Sequence, residues 1–335
     1  MLVGITYDLR NEYIAMGYSE EDCAEFDSEE TIDAIETALL DIGYKTERIG
    51  HIKTLVKYLS DGNSWDIVFN IAEGVHGTGR EAQVPALLDS FEIAYTFSDP
   101  LVLSLTLNKA VTKRIMQNMG IPTPDFALIE TIADVGSVSL PFPLFAKPVA
   151  EGTGKGISTA SKAHNKAELY AVCANLLDRF KQPVLVETYL PGREFTVGII
   201  GTGKKARVAG VIEIHLNKQA EADSYSYMNK KKYEELVTYS LSDDLMARAA
   251  AKVAIKAWTG LGCKDAGRID IRSDAKGIPN FIEVNPLAGL HPIHSDLPIL
   301  CRLSGTGYKE LIYEIMESAL ERYPFLKQSN KSNRK

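Results

Sequence analysis

The sequence predicts a mixed fold, α/β at its start and α+β beyond, and two features of the residue pattern predict it. Over the first hundred residues, strand signals and amphipathic helix signals alternate, as in a parallel sheet with helical crossovers. Farther on, segments with apolar residues at every second position are joined by short turns rich in glycine, proline and aspartate, as in antiparallel hairpins. At 335 residues the chain is too long for one compact core, so two or three domains are expected.

Composition excludes several classes. Hydrophobic content of 45% and charged content of 24% are ordinary for a globular protein. A net charge of -7 argues against a nucleic-acid partner held by bulk electrostatics. Cys23, Cys173, Cys263 and Cys301 are scattered, with neither metal-like nor disulfide-like spacing. Met1 to Asp8 reads as a strand and not as a signal peptide, and no apolar run approaches the ~18 residues of a membrane span. A soluble, cytoplasmic protein with no membrane partner is the expectation.

Leu2 to Tyr7 is a buried first strand, followed by a polar segment in which acidic residues crowd positions 20–30. Ser28-Glu29-Glu30-Thr31 marks a helix start, Ile32, Ile35, Leu39 and Leu40 keep helical spacing, and Gly43 is the stop. Strands follow at Tyr44–Ile49 and Trp65–Asn70, so an α/β domain should end near residue 100. The loop after the third of these strands contains His76 and Glu81, and such loops carry ligand sites in parallel sheets.

Residues 101–120 read as one helix with Lys109 and Lys113 on one face, ended by Ile121-Pro122-Thr123-Pro124. Leu144 to Pro148 is a strand that ends in Lys147 and runs into Glu151-Gly152-Thr153-Gly154-Lys155-Gly156. Glycines at that density let backbone N–H groups approach phosphate oxygens. The loop matches neither the Walker sequence nor the dinucleotide fingerprint, and a plain hairpin is its bland alternative. A helix spans about 166–180. Val184 to Val197 then reads as strand, Pro191-Gly192 turn and strand, bracketed by Glu187 and Glu194. The tyrosine- and lysine-rich stretch 217–238 is either a solvated loop or a cover for a site. Helices follow at Asp244–Gly260 and Tyr308–Arg322.

Between those helices, Gly267–Arg272 and Phe281–Pro286 alternate around a polar turn. Paired positions in a hairpin have a constant sum. If Asp270 faces Glu283, then Arg268 faces Asn285, and all four side chains share one face. Two directly opposed carboxylates destabilise a bare sheet by up to about 1 kcal/mol. A cation should therefore sit between them, and two carboxylates with an amide suit Mg²⁺.

Taken in order, these segments resemble the ATP-grasp superfamily. They are a lysine-ended strand, a glycine-rich loop, Glu187 through Phe195 with its Leu-Pro-Gly-Arg-Glu turn, and Arg268-x-Asp270 with Glu283-x-Asn285. Within that superfamily, His76-Gly77 with Glu81, and Gly262-Cys263-Lys264 ahead of Gly267, are similar to the D-alanine–D-alanine ligase family. The resemblance covers about residues 1–325. It implies a three-domain ATP-grasp architecture: an N-terminal parallel-sheet (pre-ATP-grasp) domain at 1–100, a central subdomain at 101–183, a C-terminal subdomain with the metal and acceptor site at 184–327, and a disordered tail at 328–335.

The resemblance also implies site residues. Lys109 and Lys147 would hold ATP phosphates, with Gly152, Gly154 and Ile282 beside the nucleotide, and Glu187, Tyr189, Leu190 and Glu194 at adenine and ribose. Lys230 would reach the nucleotide from a mobile loop. Asp270, Glu283 and Asn285 would bind two Mg²⁺ ions, or Mn²⁺ in their place. Arg268 and the backbone N–H groups of Gly289 and Thr153-Gly154 would stabilise charge in the transition state. Ser295 would hold the carboxylate of the second amino acid, and His76, Glu81 and Glu25 would lie at the amino-acid pocket. The implied partners are small amino-acid substrates and a second copy in a homodimer; the implied pathway is synthesis of cell-wall precursor.

The chain departs from the family pattern around that pocket. The opening glycine pair and serine-rich turn are replaced by Thr6-Tyr7-Asp8 and the acidic segment. Thr153-Gly154 stands where paired serines are usual, Lys231 where a tyrosine is, and the stretch from Gly289 to Ser295 is one residue longer. A D-alanine–D-alanine ligase, a ligase for other amino acids or a secondary metabolite, and a non-catalytic ATP-binding paralogue all remain open at this point.

Overall fold

A computed structural model describes residues 1–217 and 233–326. Its strands form a parallel four-stranded sheet and two antiparallel sheets of five and four strands. The parallel sheet has the order β2-β1-β3-β4, from β1 (Leu2–Thr6), β2 (Lys45–Gly50), β3 (Ile67–Asn70) and β4 (Ala94–Tyr95). Four helices serve it: α1 (Arg10–Ala15), α2 (Glu29–Ile42), α3 (Ile52–Ser60) and α4 (Gln83–Ser90). The periodicity of α2 is realised, with Ile32, Ile35 and Leu39 fully buried and Gly43 closing the helix at φ +100°. Leu40, the fourth residue of that pattern, faces solvent.

The expected helix over 101–120 is two helices, α5 (Pro100–Leu107) and α6 (Lys109–Asn118). Asn108 has extended backbone, and its side chain accepts the N–H of Val111, so it caps α6 and ends α5. That break makes Lys109 the first residue of α6 and places Lys113 one turn behind it.

The central antiparallel sheet has the order β5-β8-β6-β7, from β5 (Phe126–Ile129), β6 (Leu144–Pro148), β7 (Lys162–Ala163) and β8 (Val184–Thr188), covered by α7 (Lys166–Phe180). The third sheet is β11-β10-β9-β12-β13, from β9 (Glu194–Ile200), β10 (Arg207–Leu216), β11 (Val237–Leu241), β12 (Ala266–Ser273) and β13 (Pro279–Asn285). A short helix, α8 (Tyr233–Leu236), precedes β11. The strands on either side of Pro191-Gly192 are thus not a hairpin: β8 pairs in one sheet and β9 in the other. A division between residues 183 and 184 would separate β8 from the strands it bonds to, so the crossing between the units falls at the Pro-Gly turn. The predicted register of β12 and β13 is present, with Asp270 opposite Glu283 and Arg268 opposite Asn285.

Helix α9 (Leu245–Leu261) lies over this third sheet on a row of alanines, Ala247, Ala250, Ala254 and Ala257, that permits close approach. Trp258 ends the row, and its indole N–H reaches the Gly201 carbonyl at 3.1 Å. A Cβ at Gly267 would stand 2.7 Å from the Trp258 ring, so that strand position admits only glycine. Two more helices, α10 (Asp296–Leu303) and α11 (Tyr308–Arg322), complete the chain. Leu311, Ile312 and Ile315 of α11 share one core with Ile32, Ile35 and Leu39 of α2. Asp265 pins the same junction: fully buried, it accepts from the Phe97 N–H at 2.7 Å, the Ser318 hydroxyl at 2.9 Å and the Arg322 guanidinium at 2.6 Å.

Candidate active site

Two adjoining cavities share Lys109, Glu151 and Glu283 in their walls. The smaller, about 90 Å³, lies between the central sheet and β12–β13. Lys147, Gly154, Glu187, Tyr189, Glu194 and Asp270 line it, and so do Leu190 and Ile282. The larger, about 520 Å³, opens toward the N-terminal unit. Glu25, Glu81, Gly152, Thr153, Arg268, Asn285, Gly289 and Ser295 line it.

Sequence order explains how these groups meet. Lys147 stands near the end of β6 with Glu187 on its neighbour β8, and Lys113 reaches the same carboxylate from α6. The Glu187 oxygens lie 2.7 Å from Lys147 Nζ and 2.8 Å from Lys113 Nζ, all three side chains being buried. Burial alone would raise the Glu187 carboxyl, but Lys113 and Lys147 more than offset it and bring it down to about 2. Lys113 is pushed down to about 8, first by burial and further by Lys147, against the pull of Glu187. One carboxylate for two lysines leaves the cluster cationic. Glu187, expected at adenine or ribose, lines the smaller cavity and also holds these two lysines.

Arg268 and Asp270 of β12 form a buried ion pair, and Thr196 of β9 donates to Asp270 at 2.8 Å. Burial opposes the charge on Arg268, yet Asp270, Asp296 and Glu283 hold it firmly protonated. Lys109 Nζ is 3.4 Å from Glu283 and also donates to the Glu151 carbonyl. The donor set fits a hard divalent cation: two carboxylates opposed in register, with the Asn285 amide two residues on, its buried Nδ2 unpartnered. No cluster of three histidine, cysteine or acidic side chains suited to a metal occurs among the described residues, so an ion here would take the Asn285 oxygen and non-protein ligands as well.

The glycine-rich loop is set by left-handed backbone at Thr153 (φ +51°), Gly154 (φ +72°) and Gly156 (φ +75°). Threonine is strained in that region, so the loop geometry is held from outside. Glu25 supplies part of that hold. It lies 2.9 Å from Lys155 and 3.1 Å from Arg80, and those two cations also meet Glu151 at 2.7 and 3.7 Å. Burial works against the Glu25 charge, but Arg80 and Lys155 keep its carboxyl below the usual range.

Glu81 and Glu73 face the larger cavity with no hydrogen bond or ion pair of their own among the described residues. Burial pushes Glu81 up to about 7, with Arg80 opposing, and Glu73 is raised by burial and by Glu81 beside it. Ser295 caps α10 and accepts the His291 N–H at 3.0 Å. A Cβ on Gly289 would come 2.9 Å from the Ser295 Oγ, so glycine is what lets the loop close there.

One expected site residue does not join the others. His76 is exposed in a hollow that shares Glu25 and Glu151 with the larger cavity, its Nε2 3.1 Å from the Tyr18 hydroxyl, and does not itself line the larger cavity. Lys230 lies outside the described residues, as does the tail from 328. Sequence reading left Lys113, Arg80, Lys155, Glu73 and Asp296 unassigned. Only Lys113 carried a signal, being one helical turn from Lys109.

Comparison with known proteins gives a consistent picture. A family model described as "D-ala D-ala ligase C-terminus" matches residues 115–317. A D-alanine–D-alanine ligase of Bordetella petrii is 32% identical over 271 residues, 80% of this chain and 79% of that one. An uncharacterized protein of Sinorhizobium fredii, y4sG, is 28% identical over 303 residues, 87% of this chain and 88% of its own length. Among solved structures, a D-alanine–D-alanine ligase from Bacillus anthracis complexed with ATP superposes with a TM-score of 0.71 at 21% identity, covering 98% of this chain and 99% of that one. The VanG D-Ala:D-Ser ligase of Enterococcus faecalis gives 0.72 at 18% identity, covering 95% and 99%. At these identities the structural likeness speaks to the fold.

Proposed function

This chain belongs to the D-alanine–D-alanine ligase family and has its ATP-grasp fold, and from that premise we propose that it joins the carboxylate of one amino acid to the amine of a second at the expense of ATP. The observation that carries the reading is the pairing of Asp270 with Glu283 and Arg268 with Asn285, next to Lys109 and across from Lys147.

A carboxylate is a poor acyl donor because its leaving group would be oxide. Transfer of the γ-phosphoryl group makes an acyl phosphate, which an amine attacks through a tetrahedral intermediate. That transfer depends on positioned charge more than on covalent participation. On this reading Lys147 and Lys109, which line the smaller cavity, take phosphate oxygens there, and buried Lys113 adds positive charge from behind Glu187. Mg²⁺ held by Asp270, Glu283 and Asn285 would neutralise charge on the transferred phosphoryl group. Arg268 and the Gly289 N–H line the larger cavity where the oxyanion forms, and such fixed donors commonly contribute about 10²–10³ in rate. Glu25, Glu73 and Glu81 give that cavity a place for the donor ammonium.

The test is purified protein with ATP, Mg²⁺ and a panel of amino acids, read by ADP release and product mass. Stoichiometric ADP and dipeptide support the reading. ATP binding with no ADP release for any amino acid would leave a non-catalytic ATP-binding protein.

A further inference from the structure

Tyr189 and Glu194 stand at the two ends of the short link that carries the chain from β8 in the central sheet to β9 in the third, and both line the smaller cavity. Backbone bonds tie the middle of that link to the end of β12. The Gly192 N–H donates to the Ser273 carbonyl at 3.0 Å, and the Ser273 N–H donates to the Arg193 carbonyl at 2.9 Å. A Cβ on Gly192 would stand 2.5 Å from the same Ser273 carbonyl oxygen, so this contact requires glycine.

Arg272, the residue before Ser273, joins the two ends of the link. Its Nη1 lies 3.3 Å from the carboxylate of Glu194, its direct partner across β12 and β9, and its Nη2 donates to the Tyr189 hydroxyl at 3.2 Å. The guanidinium centre is 5.1 Å from the Tyr189 ring centroid, and Lys162 Nζ, from the central sheet, is 4.2 Å from the same centroid. Arg272 itself lines the cavity, and its Nε is buried with no partner among the described residues, so its fork is directed at Glu194 and Tyr189. A cross-strand ion pair alone would only steady the sheet. This one couples a cavity carboxylate to a cavity ring, and a planar guanidinium, unlike an ammonium, reaches both in a fixed geometry. The Glu194 side chain stays 23% exposed, so its carboxylate remains within reach from the cavity.

On the reading above, which puts ATP in the smaller cavity, we infer that Arg272 is a positioning residue that sets selection for the ribose of the nucleotide. It holds Glu194 where the carboxylate accepts from ribose hydroxyls, and it keeps Tyr189 at a fixed distance from that carboxylate. Hydrogen bonds to an ionised acceptor are roughly twice as strong as those between neutral groups, provided that the geometry is kept. A carboxylate free to turn toward solvent would lose the hydroxyls and leave the phosphate contacts of Lys109 and Lys147 as they were. Arg272 therefore acts on the sugar of the nucleotide and not on its phosphates.

Isothermal calorimetry of the purified full chain with Mg²⁺ measures binding of ATP and of 2′,3′-dideoxy-ATP, which lacks both hydroxyls. The parent should bind ATP at least about tenfold more tightly, as hydroxyl contacts with a carboxylate would give. Arg272→Met should cut that ratio at least about fivefold, through weaker binding of ATP alone, and Arg272→Lys should restore part of it. The melting temperature checks folding, and Arg272→Gln, expected to behave as Arg272→Met, stands in if the methionine variant does not fold. Glu194→Gln should cut the ratio likewise and the double variant no further, since both changes act on one contact. An unchanged ratio in the Arg272 variants, with both nucleotides weakened alike, overturns the inference and leaves ATP in its cavity. Equal binding of the two nucleotides by the parent also overturns it. A parent that binds neither overturns the ATP reading as well. Calorimetry reads binding alone, so a failure of turnover would count against the ligase reading and not against this result.

Discussion

Glu25 and Lys155, 130 residues apart in the chain, meet at 2.9 Å and tie the acidic N-terminal segment to the glycine-rich loop. A Cβ on Gly152 would fall 2.1 Å from Glu25 Oε1, an oxygen that cannot swing away freely while Arg80 and Lys155 hold its partner. Gly152→Ala should therefore displace Glu25 and raise KM for the donor amino acid at least tenfold. Glu25→Gln should do the same without unfolding the chain, because Glu151 still serves both cations. The double variant should be no worse than the worse single, since both changes act on one contact. Additive losses in steady-state kinetics would show that the two positions act separately.

Asp270→Asn or Glu283→Gln should lower turnover by at least about a hundredfold; Glu283→Gln should hold the melting temperature, because it relieves the opposition of two carboxylates across β12 and β13, whereas Asp270→Asn also strips the counter-charge from buried Arg268 and should lower it. Chelation of divalent ions should abolish ADP release and leave the fold intact by circular dichroism. Turnover near wild type in either variant would remove the hairpin from the proposed metal role.

Glu187→Gln strips the counter-charge from Lys113 and Lys147, both buried. Uncompensated buried charge costs about 3–5 kcal/mol, so a loss of about 10 °C in melting temperature is expected. Lys113→Met leaves the Lys147–Glu187 pair whole and should cost far less stability, while raising KM for ATP. If the two variants melt alike, the carboxylate is not the common anchor of the two lysines.

Glu81 makes stability depend on pH in a defined direction. In the folded chain its carboxyl holds a proton up to about 7, first because of burial. In the unfolded chain a glutamate loses it near 4.3. The folded state thus binds more protons between roughly pH 4 and 7, so stability falls as pH rises through that window and levels off above it. Without substrates, the melting temperature should be several degrees higher at pH 5 than at pH 8, and Glu81→Gln should shrink that gap. Calorimetry showing an unchanged gap in the variant would rule against Glu81 as its source.

Arg322→Met removes the guanidinium from fully buried Asp265 and from the carbonyls of Tyr95 and Phe97. A loss on the order of 3–5 kcal/mol is expected. Asp265→Asn with Arg322→Met should recover part of it, since the amide needs no counter-charge. Urea titration of the two variants beside the parent chain decides this.

Where a feature was legible in the sequence, a local period or a fixed pairing rule carried it. The β12–β13 register follows from alternation and a constant sum, and the α2 stripe from helical spacing. The remainder depended on contacts distant in sequence. Pro191-Gly192 looks like a hairpin turn because turn chemistry is local, whereas the sheet that each flanking strand joins is not. A lysine in a helix reads as solvated, so Lys113 gave no sign that Glu187, from another strand, would meet it in a fully buried site. Asp296 follows Ser295 directly, but its contacts with Arg268 and Tyr239 come from strands distant in sequence. His76 stood in a plausible loop and yet faces a different hollow, because a loop position does not fix which way its side chain points.

The core shared by α2 and α11 also governs how the protein is made. The apolar face of α2 emerges from the ribosome long before the residues that cover it, Leu311, Ile312 and Ile315, are synthesised. At roughly 5–20 residues per second the nascent chain carries that face uncovered for tens of seconds. The central sheet has its own core and can fold in the meantime, so the N-terminal unit is the part that waits for α11.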